Sequence, residues 1–179
     1  RVFRNHGIVR DRSVMRRADE GAWYTEMHML GFNYRLTDFQ CALGTSQLKK
    51  LVPFIERRRL IAKRYTEALA DLDGIELPTL RPGSTSGWHL YPIRVRGSEA
   101  VKRELFDHMR SIGLGVQVHY LPVYLHPYYA DLGYPEGLCP IAEDIYRRSL
   151  TLPVFPKMTD DNIDSVIERT RSAVKTIVG

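Results

Sequence analysis

Asn33, Tyr34 and Arg35 occupy consecutive positions just ahead of Thr37, in the stretch LGFNYRLTDFQCALGTSQLKKL (30–51). Thr37 with Gln40 three residues later is the pairing in which two side chains satisfy the first orphan backbone donors of a helix. Capping explains Thr37 and Gln40, but it gives no reason for an amide and a guanidinium around a ring immediately upstream. An amide donor and a planar guanidinium fork suit an anion such as a phosphate or a carboxylate. The alternative for Arg35 is an ion pair that fixes the start of the helix. A second group stands in VQVHYLPVYLHPYY (116–129), where alternation through Val116, Val118 and Tyr120 predicts a strand that ends at His119 and Tyr120. A histidine and a tyrosine there can donate to a phosphate or a sugar hydroxyl. Aromatic packing at a sheet edge is the alternative.

Other chemistries lack their residues. No G-x-S-x-G elbow, H-E-x-x-H pair or phosphate-cradling glycine loop occurs. None of the six histidines stands at metal-ligand spacing from another. Cys41 and Cys139 form neither a disulfide framework nor a metal motif; they are expected to be packing residues in a protein of the reducing cytoplasm. The net charge of +5 is spread along the chain, and the RNA-recognition, zinc-finger and basic-zipper signatures are absent. No nucleic-acid partner is therefore expected, and the basic balance fits an acidic small ligand such as a nucleoside diphosphate. A stand-alone binding domain and a basic nucleic-acid module are the rival readings. There is no run of about 18 apolar residues and no signal peptide, so no membrane partner is expected.

The elements that must position these residues follow from the pattern. Residues 1–35 are punctuated by Gly7, Gly21 and Gly31 and read as irregular, with one short strand or helix. From Thr37 the apolar positions Phe39, Leu43, Leu48, Leu51, Ile55, Leu60 and Ile61 recur at helical spacing. Pro53 predicts a kink or a junction of two helices, the second over 54–72 with its basic residues Arg57 to Arg59, Lys63 and Arg64 on a solvated face. LPTLRPGSTSG (77–87) is a connector, and WHLYPIRV (88–95) a strand that Pro92 demotes to an edge or a bulge. Ser98 opens a helix with Val101, Leu105, Met109 and Ile112 on one face, ending at Gly113. After the strand at 115–123, residues 124–140 read as a loop, 141–148 as a short helix and LTLPVFP as an extended piece. Thr159 then opens the last helix, striped by Ile163, Val166, Ile167, Val174 and Ile177, with Asp160 and Asp161 at the positive end of its dipole. With 44% hydrophobic content, this order predicts an α/β or α+β two-layer protein with a packed core. The chain opens at Arg1 in mid-pattern and is expected to be a fragment.

RNHGI (4–8), LGFNYRLTDFQCALGTSQLKKL (30–51), HLYPI (89–93), GLGVQVHYLPVY (113–124) and LTLPVFPKMT (150–159) together resemble the C-terminal portion of the DegT/DnrJ/StrS family of sugar aminotransferases, closest to its pseudaminic-acid branch. The resemblance implies an α/β fold, the C-terminal part of a fold type I pyridoxal-phosphate transferase. Residues 1–52 would be the end of the large domain and the start of a connecting helix. Residues 53–179 would be a small α+β domain with a short, mainly antiparallel sheet.

It also implies a homodimer with shared active sites, pyridoxal 5'-phosphate as cofactor, and transfer of an amino group from L-glutamate to C4 of a UDP-4-keto-6-deoxy-HexNAc sugar. Asn33 and Arg35 would bind the cofactor, Asn33 reaching its phosphate in the neighbouring subunit. Tyr34, His119, Tyr120, Arg4 and His6 would contact the nucleotide-sugar substrate. The family's Schiff-base lysine lies upstream of the RNHG block, where this chain starts, so no catalytic lysine is expected here. Lys49, Lys50, Lys63, Lys102 and Lys175 fall on expected helices and Lys157 on the lead-in to the last; none is expected to occupy the desolvated site such a nucleophile needs. The chain by itself is expected to be inactive.

Overall fold

A computed structural model describes residues 1–17 and 21–179. The chain divides into two compact units, Arg1–Lys50 and Leu51–Gly179.

In the first unit, β1 (Ile8–Val9) pairs antiparallel with β2 (Glu26–Met27), and an isolated bridge joins Asn5 to Asn33. Between these two pairings, residues 6 and 7 of one strand face residues 28 to 32 of the other. The mismatch closes through two glycines. Gly7 holds φ +74°, and a β-carbon there would stand 1.6 Å from the Met29 carbonyl oxygen. A β-carbon on Gly31 would stand 2.2 Å from the Gly7 nitrogen. Only residues without side chains allow this approach. The irregular stretch expected over 1–35 is thus a bulged hairpin that also carries a 3-10 turn at Arg12–Val14.

Helix α1 (Asp38–Leu48) starts as expected, with the Gln40 amide donating to Thr37 Oγ1 and the Thr37 amide to Gln40 Oε1. It buries none of its residues. Lys49 and Lys50, expected on a helix, form the break before α2 (Leu51–Leu69). Pro53 is the third residue of α2 rather than the site of the break. Amides in a first helical turn have no intrahelical acceptor, so the missing donor costs nothing there.

The second unit is an α+β layer. Strands β3 (Ile75–Glu76), β4 (Tyr91–Val95) and β5 (Ser149–Leu152) form an antiparallel sheet in the order β3-β4-β5. The core joins Tyr91, Ile93, Val95, Leu150 and Leu152 to Ile61, Tyr65 and Leu69 of α2. Leu105 and Met109 of α3 (Glu99–Ser111) and Ile163, Val166 and Val174 of α6 (Asp160–Ile177) complete it. The stripes expected for α3 and α6 face the core, with Val101, Ile112, Ile167 and Ile177 only half-buried against it, and Ser98 and Thr159 cap the two helices.

Five expectations are corrected, four within this unit and the last in both. Pro92 lies in the central strand rather than at an edge. The amide and carbonyl of Thr151 both bond Gln117, so the Pro92–Thr151 pair of β4 and β5 is a non-hydrogen-bonded one. Pro92 therefore turns its nitrogen to the β3 side, where pairing has already ended at Glu76–Arg94. A proline is tolerated in a central strand at the point where the neighbour has stopped.

Residues 115–123 form no strand. They make the single bridge Gln117–Thr151 to β5. Residues 124–140 are not plain loop but include a 3-10 turn at Val123–Leu125 and the short helix α4 (Pro127–Asp131), before α5 (Pro140–Arg148).

The basic face of α2 is not simply solvated. Arg57 donates to the Met158 carbonyl at 2.6 Å and to Asp160 at 2.9 Å, Arg64 pairs with Asp164, and Arg59 donates to the Ser86 carbonyl at 3.1 Å. These arginines fasten α2 to the start of α6 and to the 86–89 segment. Finally, Cys41 and Cys139 are both exposed, not packing residues: Cys41 sits on the uncovered α1 and Cys139 is the N-cap of α5.

Candidate functional site

In the first unit the hairpin joins the two sequence blocks. The Tyr34 amide donates to the Arg4 carbonyl at 2.9 Å and the His6 amide to the Phe32 carbonyl at 2.9 Å. His6 takes a left-handed φ of 57° with its side chain exposed. Arg35 Nη1 donates to Asn5 Oδ1 at 2.7 Å. The ion pair considered for Arg35 is therefore not what holds it: its partner is a neutral amide, so the guanidinium charge is not cancelled. Tyr34 stacks on Phe32, with ring centroids 4.9 Å apart, and stays 70% exposed.

Arg4 and Arg35 line one cavity of about 700 Å³ together with Arg1, Asn5, Arg10 and Asp11. Sequence reasoning missed Asn5, Arg1 and Arg10. Asn5 directly follows Arg4, but its task of holding Arg35 depends on the fold alone.

The floor of the hairpin is held by a second residue the sequence did not single out. Glu26 is buried and accepts from the Arg16 amide at 2.8 Å, the Arg17 amide at 2.7 Å and His28 Nε2 at 2.6 Å. These bonds, led by the one from Arg16, hold its carboxyl down to about 2.

In the second unit His119 and Tyr120 meet edge to face, with centroids 4.7 Å apart. Tyr120 is 72% exposed. His119 Nδ1 lies 2.9 Å from Thr151 Oγ1. When the hydroxyl donates, Nε2 carries the ring proton and is left to serve a ligand. His119 lines a cavity of about 340 Å³ on the sheet face away from the core, beside Ser149, Ile145 and the paired Arg94 and Glu76. Thr151 was also missed: its role rests on a bond between positions 32 residues apart.

In the same unit, Glu143 of α5 is buried and accepts from Tyr124 Oη at 2.5 Å, the Gly137 amide at 2.6 Å and Arg147 at 3.0 Å. The Tyr124 bond foremost lowers its pKa, and the cluster pins both ends of the tyrosine-rich segment.

One lysine corrects the expectation. Lys102 is only 7% exposed, and burial pushes its pKa down. Its Nζ is taken up by the Tyr146 carbonyl at 3.3 Å and the Tyr146 ring at 5.0 Å, a structural pairing of α3 with α5. Among the described residues no cluster of three or more histidines, cysteines or carboxylates can hold a metal ion, and no helix is long and apolar enough to cross a membrane.

Residues 1–171 match the pattern of the DegT/DnrJ/EryC1/StrS aminotransferase family. The chain belongs to that family. Among its relatives, the spore coat polysaccharide biosynthesis protein SpsC of Bacillus subtilis is 36% identical over 98% of this chain and 46% of its own length. The UDP-4-amino-4,6-dideoxy-N-acetyl-beta-L-altrosamine transaminase of Campylobacter jejuni is 33% identical over 96% of this chain and 45% of its own. Among solved structures, Helicobacter pylori PseC, an aminotransferase of pseudaminic acid biosynthesis, superposes with a TM-score of 0.80 at 26% identity, over 98% of this chain and 45% of that one. The chain thus spans under half the length of these relatives. The α+β architecture with short antiparallel sheets agrees with the fold expected for the C-terminal part of such an enzyme.

Proposed function

We propose that this chain is the C-terminal portion of a pyridoxal-phosphate-dependent nucleotide-sugar aminotransferase of the cytoplasm. In this reading it acts as a homodimer, taking an amino group from L-glutamate to C4 of a UDP-4-keto-6-deoxy-HexNAc sugar. The observation that carries the reading is the family match over residues 1–171, whose RNHG and FNYR blocks the hairpin zips together around Asn5, Asn33 and Arg35. The division of labour gives residues 1–52 to the large domain and its connecting helix, and 53–179 to the small domain.

The residues present fit the cofactor only in part. Asn33 and Arg35 offer the neutral and charged donors that a phosphate takes. The covalent anchor is another matter: the buried lysine, Lys102, spends its ammonium on Tyr146, and no step is assigned to a lysine here. Pyridoxal phosphate supplies the electron-sink chemistry when bound, and the protein supplies placement. Asn33 serves the cofactor phosphate of the neighbouring subunit. Tyr34, Arg4 and His6 border the substrate, and His119, held by Thr151, donates to it beside Tyr120.

The test has two arms. The 179-residue chain mixed with pyridoxal phosphate gives no borohydride-reducible absorbance band; such a band mapped to one of its lysines overturns the assignment. The longer protein, with the segment upstream of residue 1, converts a UDP-4-keto-6-deoxy-HexNAc with glutamate and loses at least about tenfold in rate on Asn33→Ala, roughly the loss of one charge-assisted hydrogen bond. Failure to transaminate any nucleotide sugar overturns the function.

A further inference from the structure

The segment that follows His119 has no core of its own. Between Val116 and Glu143 no residue is buried, so apolar packing fixes little of it. Residues 120–138 carry the 3-10 turn at Val123–Leu125 and the short helix α4. Among the described residues their hydrogen bonds to the rest of the protein end on Cys139, Glu143 and Arg147. Glu143 is the centre of this set. Its Oε1 accepts from Tyr124 Oη at 2.5 Å, near one end of the segment, and from the Gly137 amide at 2.6 Å, near the other. Its Oε2 accepts from Arg147 of the same helix at 3.0 Å. A buried carboxylate is tolerated only where donors meet it, and two of these three come from the segment. The Tyr124 hydroxyl also accepts from the Cys139 amide at 3.1 Å, which closes residues 123–139 into a strap. The base of the strap is firm: Lys102 donates to the Tyr146 carbonyl at 3.3 Å and Arg148 meets Glu76 at 3.6 Å, tying α5 to α3 and to β3.

Tyr120 lies between two anchors. Upstream, Thr151 holds His119 at 2.9 Å; downstream, Glu143 holds Tyr124. Among the described residues Tyr120 itself makes no side-chain hydrogen bond, and it meets only the His119 ring edge to face. Its place is set by the backbone between the anchors. We infer that Glu143 is a positioning residue: by latching Tyr124 and Gly137 to α5 it keeps the 123–139 strap closed and fixes Tyr120 against the nucleotide sugar. This role rests on the nucleotide-sugar reading above and adds to it a residue that touches neither substrate nor cofactor. Without the latch Tyr120 is anchored on one side only. Binding of the sugar then has to order the strap as well, and that entropy cost appears in KM rather than in kcat. The neighbouring Arg147–Glu136 pair is no substitute, because Glu136 is 75% exposed and an ion pair in water contributes little.

The experiment has two arms. In the 179-residue chain, hydrogen exchange followed by NMR reads the Gly137 and Cys139 amides, which Glu143 and the Tyr124 hydroxyl hold. Tyr124→Phe removes that hydroxyl alone and should speed both amides at least about fivefold while leaving those of α6 unchanged. Glu136→Gln, which breaks only the exposed pair, should change neither. In the longer protein, Tyr124→Phe and Glu143→Gln should each raise the KM for a UDP-4-keto-6-deoxy-HexNAc at least about fivefold, with kcat and the KM for glutamate within about twofold. The double variant should cost little more than the worse single one, as for two residues that act through one bond. A mere loss of stability would lower the active fraction, and so kcat, without moving KM. If Glu143→Gln fails to fold, Tyr124→Phe carries both arms. Unchanged exchange at Gly137 and Cys139, an unchanged KM for the sugar, or an equal rise in the KM for glutamate each overturns the positioning role. Such a result leaves the aminotransferase reading standing as long as the longer protein transaminates a nucleotide sugar. If it transaminates none, the role falls with that reading, and the exchange arm still decides whether Glu143 latches the strap, so the two failures are distinguishable.

Discussion

Two buried polar residues, Glu26 and Thr170, give direct tests. Glu26 stitches β2 to the 16–17 backbone, and its carboxyl is held at about 2 against an ordinary 4.5. A carboxylate whose folded pKa is depressed adds stability above its unfolded value and loses it as pH falls through the folded one. The hairpin's amide signals, His28 and Met27 among them, should therefore persist unchanged at pH 5. They should weaken progressively as the pH drops from about 4.5 toward 2, with Glu26→Gln removing this dependence; NMR across that range checks it. Thr170 offers the opposite case. It is fully buried on α6, and its hydroxyl has no partner among the described residues. Thr170→Val keeps the shape and removes the unsatisfied group, so urea unfolding should show a gain of about 1 kcal/mol.

At the scale of elements, local patterning and tertiary context contributed unequally. The capping box at Thr37, the Ser98 and Thr159 caps and the stripes of α3 and α6 are short-range features, and the structure carries each as the sequence predicts. Strands failed where pairing decided the matter. Residues 115–123 have the alternation of a strand but make one bridge to β5, and Pro92 is admitted to a central strand because β3 ends early. Helix α1 is the element that most lacks support. It buries no side chain, and Gly44 sits in its interior with open space where a β-carbon would stand. Gly44→Ala should stabilise α1 by about 0.5–1 kcal/mol, read as an increase in helical circular dichroism; a decrease would mean the position is held bare by contacts this chain alone does not make.

Across the whole molecule, the core belongs to the second unit. The first buries only Gly7 and Glu26 among its described residues and leaves Trp23, Leu30, Phe39 and Leu48 more than 60% exposed. Surface of that kind seeks cover. The 179-residue chain should self-associate in a concentration-dependent way by sedimentation velocity, and a monodisperse monomer at high concentration would contradict this. On the proposed reading a longer protein covers this surface, and sedimentation of that protein should show one defined species.

Sequence alone determined the helix starts, the apolar stripes, the α+β order and the family, because caps and periodicity act over three or four residues and the family blocks lie intact along the chain. It also marked Asn33, Arg35 and His119 by residue type, and the family resemblance added Arg4. Only the tertiary structure decided that Asn5 holds Arg35, that Thr151 holds His119, that Arg1 and Arg10 share a cavity with Arg4 and Arg35, and that the α2 arginines are fasteners rather than a free face. The physical reason is common to all of these: a hydrogen bond or a charge cluster between positions some 30 to 100 residues apart leaves no periodic trace in the sequence, and exists only once the chain has brought its partners within about 3 Å.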